Sequence, residues 1–194
     1  MRKLGILTGG AIALAACART PPPPVDLNNP LLAPGFLAQT ASGDQFEIQS
    51  SQLALQASQN AGVRNFANMM ISDHTRLSQA MGAAAAAARV QPAPPTLLPA
   101  QQAMLDQLRS AGTGYSFDQA FQQAQISAHQ NALTLFQNYA ASGDLLAIRT
   151  AAGQAVPTIQ THLAMAQALQ VAPPPPPAPP PLPPPPARRS GERG

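Results

Sequence analysis

The stretch MMISDHTRLSQAM, residues 69–81, decides how the chain is read. Extended back to Val63, it places Val63, Ala67, Met70, His74, Leu77 and Met81 at alternating steps of four and three. Residues so spaced share one stripe of a helix, and an apolar stripe is buried against partner helices. His74 stands in that stripe where an apolar residue would be expected. The same stepping recurs twice. Ile126, His129, Leu133, Phe136 and Ala140 follow it, and so do Ile148, Ala152, Ala155, Ile159, His162, Ala166 and Leu169. The chain has three histidines, and each lies on the apolar seam of a different helix.

Outward from these seams, helical periodicity continues and strand-type alternation is absent. Four main helices are expected: about 35–60, from 62 into the alanine run before Val90, 116–141, and from Asp144 to before Pro173. The turn SGD (142–144) offers Asp144 as N-cap of the fourth helix. Pro157 lacks a donor and crowds the preceding turn, so a local bend is expected there, beside the weak point of Gly153. The second and third helices are joined by a long proline-containing segment. Within it PAQQAMLDQLRSAG (99–112) reads as a short helix opened by Pro99 and closed by Gly112. Two short links and one long one make two antiparallel hairpins joined by a crossover, the ferritin-like form of a four-helix bundle. An up-down-up-down bundle with a looped excursion is the alternative. MMISDHTRLSQAM also aligns without gaps with PTIQTHLAMAQAL (157–169), matching His74 to His162.

The bundle is assigned to residues 35–171. Residues 1–16 carry Arg2 and Lys3 and then a short apolar run, too short to span a bilayer and typical of a signal-peptide core. The run ends in LAAC (14–17), which resembles a bacterial lipobox. That resemblance implies a signal removed before Cys17, lipid chains on Cys17, and, with Ala18 rather than Asp next, an outer-membrane anchor facing the periplasm. More than one acyl chain gives stable anchoring. Cys17 is the only cysteine, so no disulfide or thiolate metal site forms within one chain. Residues 17–34 read as a proline-rich leash. Residues 172–194 read as a polyproline tail with a basic tip, Arg188, Arg189 and Arg193 against Glu192. Such runs form extended, semi-rigid spacers. The tail is also where an envelope partner would dock.

Charge excludes one function class. The formal net charge is +3, but Arg2 and Lys3 belong to the signal, and the tail tip is positive. The body carries Arg64, Arg76, Arg89, Arg109 and Arg149 against six Asp and one Glu, without lysine. Nucleic-acid binding needs clustered positive charge, and none is present.

The polar residues of the seams carry the functional reading. Glu47, the single glutamate of the body, sits on a stripe of small residues with Thr40, Gly43, Ser51 and Ala54. With the first turn centred near residue 60, Glu47 lies about 13 residues before it and His74 about 14 after, at one height. With the second turn centred near residue 145, His129 and His162 are also level. Glu47, His74, His129 and His162 are therefore expected in one layer. A carboxylate and three imidazoles converging in a bundle suit one first-row transition metal, copper, zinc or iron. Met70 and Met165 are supporting candidates that would favour copper. Asp73 points about 100° away from His74, toward solvent or toward a neighbouring ring. The competing reading is a buried polar layer that pairs with itself and fixes register.

Residues 36–81, 117–144 and 156–169 resemble the bacterial envelope family called domain of unknown function 4142. The resemblance rests on Asp73-His74 in the second helix, AHQ (128–130) in the third, and Pro157 followed by His162 in the fourth. It implies a ferritin-like fold and an exported protein, and it implies no activity. Catalytic ferritin-like proteins use Glu-x-x-His pairs. Here the residues three before the histidines are Ile71, Ile126 and Ile159, which argues against di-iron chemistry. Three functions stay open: an anchored bundle that binds or senses a metal ion, an interaction or structural module of the envelope, and a redox enzyme with a mononuclear site.

Overall fold

The computed structural model describes residues 26–173 apart from residue 93. The signal segment, Cys17, half of the leash and nearly all of the tail lie outside the described residues. Five helices and no strand are found among the described residues: α1 (Ala33–Ala57), α2 (Ala61–Ala87), α3 (Pro99–Ser110), α4 (Tyr115–Ser142) and α5 (Leu146–Ala168).

α1 and α2 form a first hairpin, and α4 and α5 a second. α1 packs against α2 and α4, and α5 packs against α4 and α2, which closes a four-helix ring. Three tertiary hydrogen bonds set the direction of the chain. Gly114 N–H donates to Ala57 O at 3.0 Å, so α4 starts where α1 ends. Asp144 N–H donates to Leu31 O at 3.1 Å, so the α4–α5 turn lies beside the start of α1. Asn60 Nδ2 donates to Gln170 O at 2.8 Å, so α5 finishes beside the α1–α2 turn. The chain must therefore return along the bundle between α2 and α4. α3 lies on that return, packed on α1 and α4. Leu98 N–H donates to the buried Ser42 Oγ at 2.7 Å and anchors its entry. This is the ferritin-like crossover, and the looped up-down-up-down alternative is set aside.

Local chemistry explains the helix ends. Pro34 opens α1, where a missing N–H costs nothing. Asn60 caps α2, accepting from Gly62 and Val63 N–H, a cap worth about 1 kcal/mol. α2 closes with Val90 N–H on Ala85 O and Arg89 N–H on Ala86 O, a Schellman ending. Arg89 takes the left-handed position there, φ 57°, usually given to glycine. Gly35 is required by a close approach, because a Cβ there would stand 2.1 Å from Asn29 O.

Asp144 does not cap α5. The N-cap of α5 is Leu145, without a side-chain bond. Asp144 Oδ1 instead accepts from Ala33 N–H at 2.9 Å and from Tyr139 Oη–H at 2.7 Å, so it caps α1 and locks the second turn to the first helix. Sequence proximity favours α5, but the turn packs on the free N–H groups of α1. Pro157 lies inside α5, which stays helical from Leu146 to Ala168.

Two apolar clusters fill the bundle. One holds Phe46, Phe66, Met70, Leu105, Leu108, Phe117 and Phe121. The other holds Phe36, Met81, Phe136, Tyr139, Ile148 and Ile159, with Phe36 stacked on Tyr139 at 4.0 Å between centroids. Between them runs a buried polar layer.

A candidate metal centre between the four helices

His74 of α2, His129 of α4 and His162 of α5 meet in that layer. Their exposures are 4%, 1% and 3%. The three rings form a near-equilateral triangle, with centroids 5.5 Å, 5.6 Å and 5.5 Å apart. One nitrogen from each ring lies within 4.8 Å of the others.

The other nitrogen of each ring is already bonded. His74 Nδ1 lies 2.8 Å from Asp44 Oδ1, and Asp44 Oδ2 accepts from Ser78 Oγ–H at 2.7 Å. His129 Nδ1 lies 2.8 Å from the Gln125 carbonyl, one turn back on α4. His162 Nε2 lies 2.9 Å from Asp73 Oδ2, and Asp73 Oδ1 takes Arg76 as well. Each of these acceptors calls for an N–H on the nitrogen it faces. That assigns the lone pair to His74 Nε2, His129 Nε2 and His162 Nδ1. Those three atoms are buried and find no hydrogen-bond partner among the described residues. A self-contained polar network would pair them with protein donors, because an unmet buried polar atom is costly. Three lone pairs held inward, each ring oriented from behind by a carboxylate or carbonyl, form the usual donor set of a metal-binding histidine site.

Glu47 is buried beside the site but is not part of the three-residue cluster. Its Oε1 lies 3.6 Å from His129 Nδ1, the nitrogen already bonded to Gln125, and its Oε2 has no partner among the described residues. The difference from the sequence expectation is one of height. Residues 58–60 join α1 to α2, so the turn is centred on Gln59 rather than Asn60. Asp44 and His74 then stand equally far from it, and Asp44 takes the ring. The buried stripe of α1 includes Asp44, while the expected Gly43 is only half-buried. Asp73 faces the His162 ring rather than solvent alone, as the alternative orientation had it. Met70 is buried within an apolar cluster, and Met165 is 41% exposed on α5. Asp44 and Gln125 were missed. The same height rule applied one residue earlier finds Asp44. No side-chain signal marks Gln125, whose contribution is a backbone carbonyl.

Charge is unequal around the triad. Burial pushes the Glu47 carboxyl up to about 7, against the pull of His74. Burial, reinforced by His74, pushes His129 down to about 3. Burial also pulls on His74, but the Asp44 hydrogen bond and the charges of Glu47, Asp44 and Asp73 outweigh it, and its pKa is raised. Burial lowers His162, only partly offset by Asp73. Two cavities reach the triad. One, about 450 Å³, opens between α2 and α5 at Asp73, His74 and His162. The other, about 510 Å³, lies between α1 and α4 under α3 and touches Glu47, His74 and His129.

A family model matches residues 23–169, most of the chain. The chain belongs to that family, the domain of unknown function DUF4142. Membership agrees with the resemblance seen in the motifs around the three histidines. Among solved structures, the DUF4142 chain is similar to CopM in the Cu(II)-bound form, with TM-score 0.59 and 18% identity, covering 71% of this chain and 94% of that one. It is also similar to CopM in the Ag-bound form, with TM-score 0.56, 17% identity, and coverage of 71% and 93%. At such identity the likeness is one of fold. No curated protein sequence matches the chain. Among the described residues, no helix is long and apolar enough to cross a membrane.

Proposed function

We propose that this DUF4142 protein binds one transition-metal ion, copper by preference, through His74 Nε2, His129 Nε2 and His162 Nδ1. The observation that carries this reading is the convergence of three buried imidazoles from three helices, with one nitrogen of each within 4.8 Å of the others and one nitrogen of each unpartnered among the described residues. Imidazole donors suit copper, zinc and iron, and copper(II) stands highest in affinity among divalent first-row ions. The similarity to a bundle solved with Cu(II) and with Ag supports the choice of copper. Asp44, the Gln125 carbonyl and Asp73 orient the three rings and hold their N–H groups outward. Glu47 adds a buried acid at the edge of the site. The missing Glu-x-x-His pairs and the absence of a bridging carboxylate among the three residues favour binding or sensing over di-iron-type oxidation.

The envelope setting belongs to the same proposal. The lipobox-like LAAC and Cys17 support a lipid anchor in the outer membrane, with the bundle held in the periplasm on its proline-rich leash. Cys17→Ala should release the protein from membranes. The metal reading is tested by elemental analysis and melting of protein lacking residues 1–16. A one-to-one metal content and a melting temperature lowered by chelator are expected. Protein that stays metal-free and melts identically with and without copper, zinc or iron defeats the reading. The alternative, an interaction module with a purely structural layer, would then stand.

A further inference from the structure

Among the described residues five large apolar side chains are exposed, and four of them, Leu27, Leu31, Leu32 and Leu146, gather at one end of the bundle. The fifth, Met165, stands alone near the other end of α5. Single exposed leucines are ordinary, but a cluster at one pole marks a contact surface. Leu31 and Leu32 immediately precede α1, and Leu146 opens α5 at 70% exposure. The two segments are fastened together, since Asp144 N–H donates to Leu31 O at 3.1 Å and Asp144 Oδ1 accepts from Ala33 N–H at 2.9 Å. Leu27 lies beside the first turn of α1, where its carbonyl oxygen would stand 3.2 Å from a Cβ on Gly35. α2 ends at the same pole, because Ala84, Ala85 and Val90 share one apolar cluster with Ala33, Phe36 and Ile148. It brings the exposed Arg89, and Arg149 donates to the Gly143 carbonyl of the α4–α5 turn at 2.9 Å. Neither arginine forms an ion pair among the described residues. The opposite pole differs. Its turns, Ser58–Asn60 and Gly112–Gly114, carry no large apolar side chain.

We infer that the leucine pole rests on the lipid surface that holds the anchor at Cys17. The leucines enter the boundary between headgroups and acyl chains, and Arg89 and Arg149 face anionic phosphates. The inference rests on the lipid-anchor reading above and commits to a bilayer as the occupant. An apolar face combined with basic side chains is the chemistry that holds a protein in that boundary. Chain length selects this pole over the other. Asp26 lines a shallow cavity with Ala38 and Gln39, so it lies about 9 Å along α1 from Ala33. Cys17 stands nine residues before Asp26, a stretch that spans at most about 30 Å. Ala57, at the far end of α1, is about 27 Å beyond Gln39. Seating the far pole on the membrane therefore needs the leash at nearly full stretch, whereas the leucine pole is well within its reach. In this stance the C-terminal segment leaves away from the lipid, because Gln170 lies beside Asn60 at the far pole.

The test uses two features of the chain, the lack of tryptophan and the single cysteine. The chain from Cys17 onward, which keeps every described residue, is coupled through the Cys17 thiol to a maleimide lipid in vesicles of phosphatidylethanolamine and phosphatidylglycerol. With Leu146→Trp, coupling is expected to shift emission to shorter wavelength and to make it quenchable by lipids brominated near the top of their acyl chains. Gln59→Trp, at the far pole, is expected to keep its emission and reads what tethering alone does. Adding Leu31→Glu and Leu32→Glu to the Leu146→Trp chain should abolish both the shift and the quenching. Arg89→Gln, on the surface, should reduce quenching on the anionic vesicles and leave it unchanged on phosphatidylcholine, and it carries the test if the double glutamate variant does not fold. Equal quenching at the two poles, none at the leucine pole, or quenching untouched by all these substitutions overturns the inference. So does a shift of uncoupled Leu146→Trp protein with rising concentration in the absence of vesicles, which would mean that a second copy covers the pole. Because the tether is chemical, the outcome is independent of whether cells acylate Cys17, which the release of Cys17→Ala from membranes reads separately.

Discussion

The two hairpins meet at the histidine layer with opposite chemistry. The first, α1–α2, supplies one histidine and all the carboxylates of the site: Asp44, Glu47 and Asp73. The second, α4–α5, supplies two histidines and no carboxylate, and it orients His129 with a backbone carbonyl. The consequence is electrostatic. His74, bonded to Asp44 and near Glu47, is pushed toward holding a proton, while His129 and His162 are pushed toward losing theirs. A metal ion needs all three unprotonated on the inward nitrogen. The second hairpin is therefore ready for metal, and the first must give up a proton to complete the site.

The comparison breaks first if the hairpins do not both contribute ligands. His74→Ala, His129→Ala and His162→Ala should each abolish stoichiometric metal in elemental analysis. A variant that keeps full metal would remove its hairpin from the site. Smaller effects are expected behind the rings. Asp44→Asn and Asp73→Asn should weaken metal affinity about 10–100-fold in competition with a chelator. Asp44→Asn should cost more, since Asp44 is buried and Asp73 is partly open to water and shared with Arg76. The reverse order would mean that the α2–α5 contact, not the first hairpin, controls the site.

The pH dependence of the metal-free protein sharpens the contrast. His129 is lowered in the folded state, so its contribution is present above its ordinary value near 6.5 and is lost as pH falls toward 3. Glu47 is raised, so its contribution is present below its ordinary value near 4.5 and is lost as pH rises through about 7. The two slopes oppose each other between those values. Glu47→Gln removes the second slope. Denaturant unfolding should show the variant gaining on the parent between pH 4.5 and pH 8, by up to about 3 kcal/mol. An unchanged difference between the two pH values would show that Glu47 is not an isolated buried acid. The smallest expected effect lies where the first hairpin hands over to the crossover. Arg89→Gly should stabilise by about 1 kcal/mol, because only glycine takes that left-handed position without strain. A loss instead would mean that the arginine side chain contributes more than its backbone costs.

Much of this arrangement is legible in the chain itself. Four-three stepping places His74, His129 and His162 on seams, and loop lengths favour the ferritin-like connection over the looped alternative. These are local, periodic properties, so a linear sequence carries them. Heights across a turn are read less well. Moving the first turn by one residue exchanges Glu47 for Asp44 opposite His74, because both acids lie on one face three residues apart. Both ends of the α4 stripe are displaced by one position, while His129 and Phe136 are buried as expected. Gln125 and Tyr139 are buried, where Ile126 and Ala140 were expected. A helix buried against three neighbours has a wide contact face, and periodicity alone does not fix its centre.

By itself, then, the sequence determined an all-helical bundle of two hairpins and the convergence of three histidines. It also carries the lipobox-like Cys17 on which the envelope reading rests. Tertiary structure alone decided which nitrogens face inward, that Asp44 and Asp73 rather than Glu47 orient rings, and that Asp144 caps α1 across the bundle. The physical reason is range. Helical periodicity acts over a turn or two, whereas, His129 and the carbonyl of its own helix aside, each of these choices depends on a hydrogen bond between elements 30 to 111 residues apart.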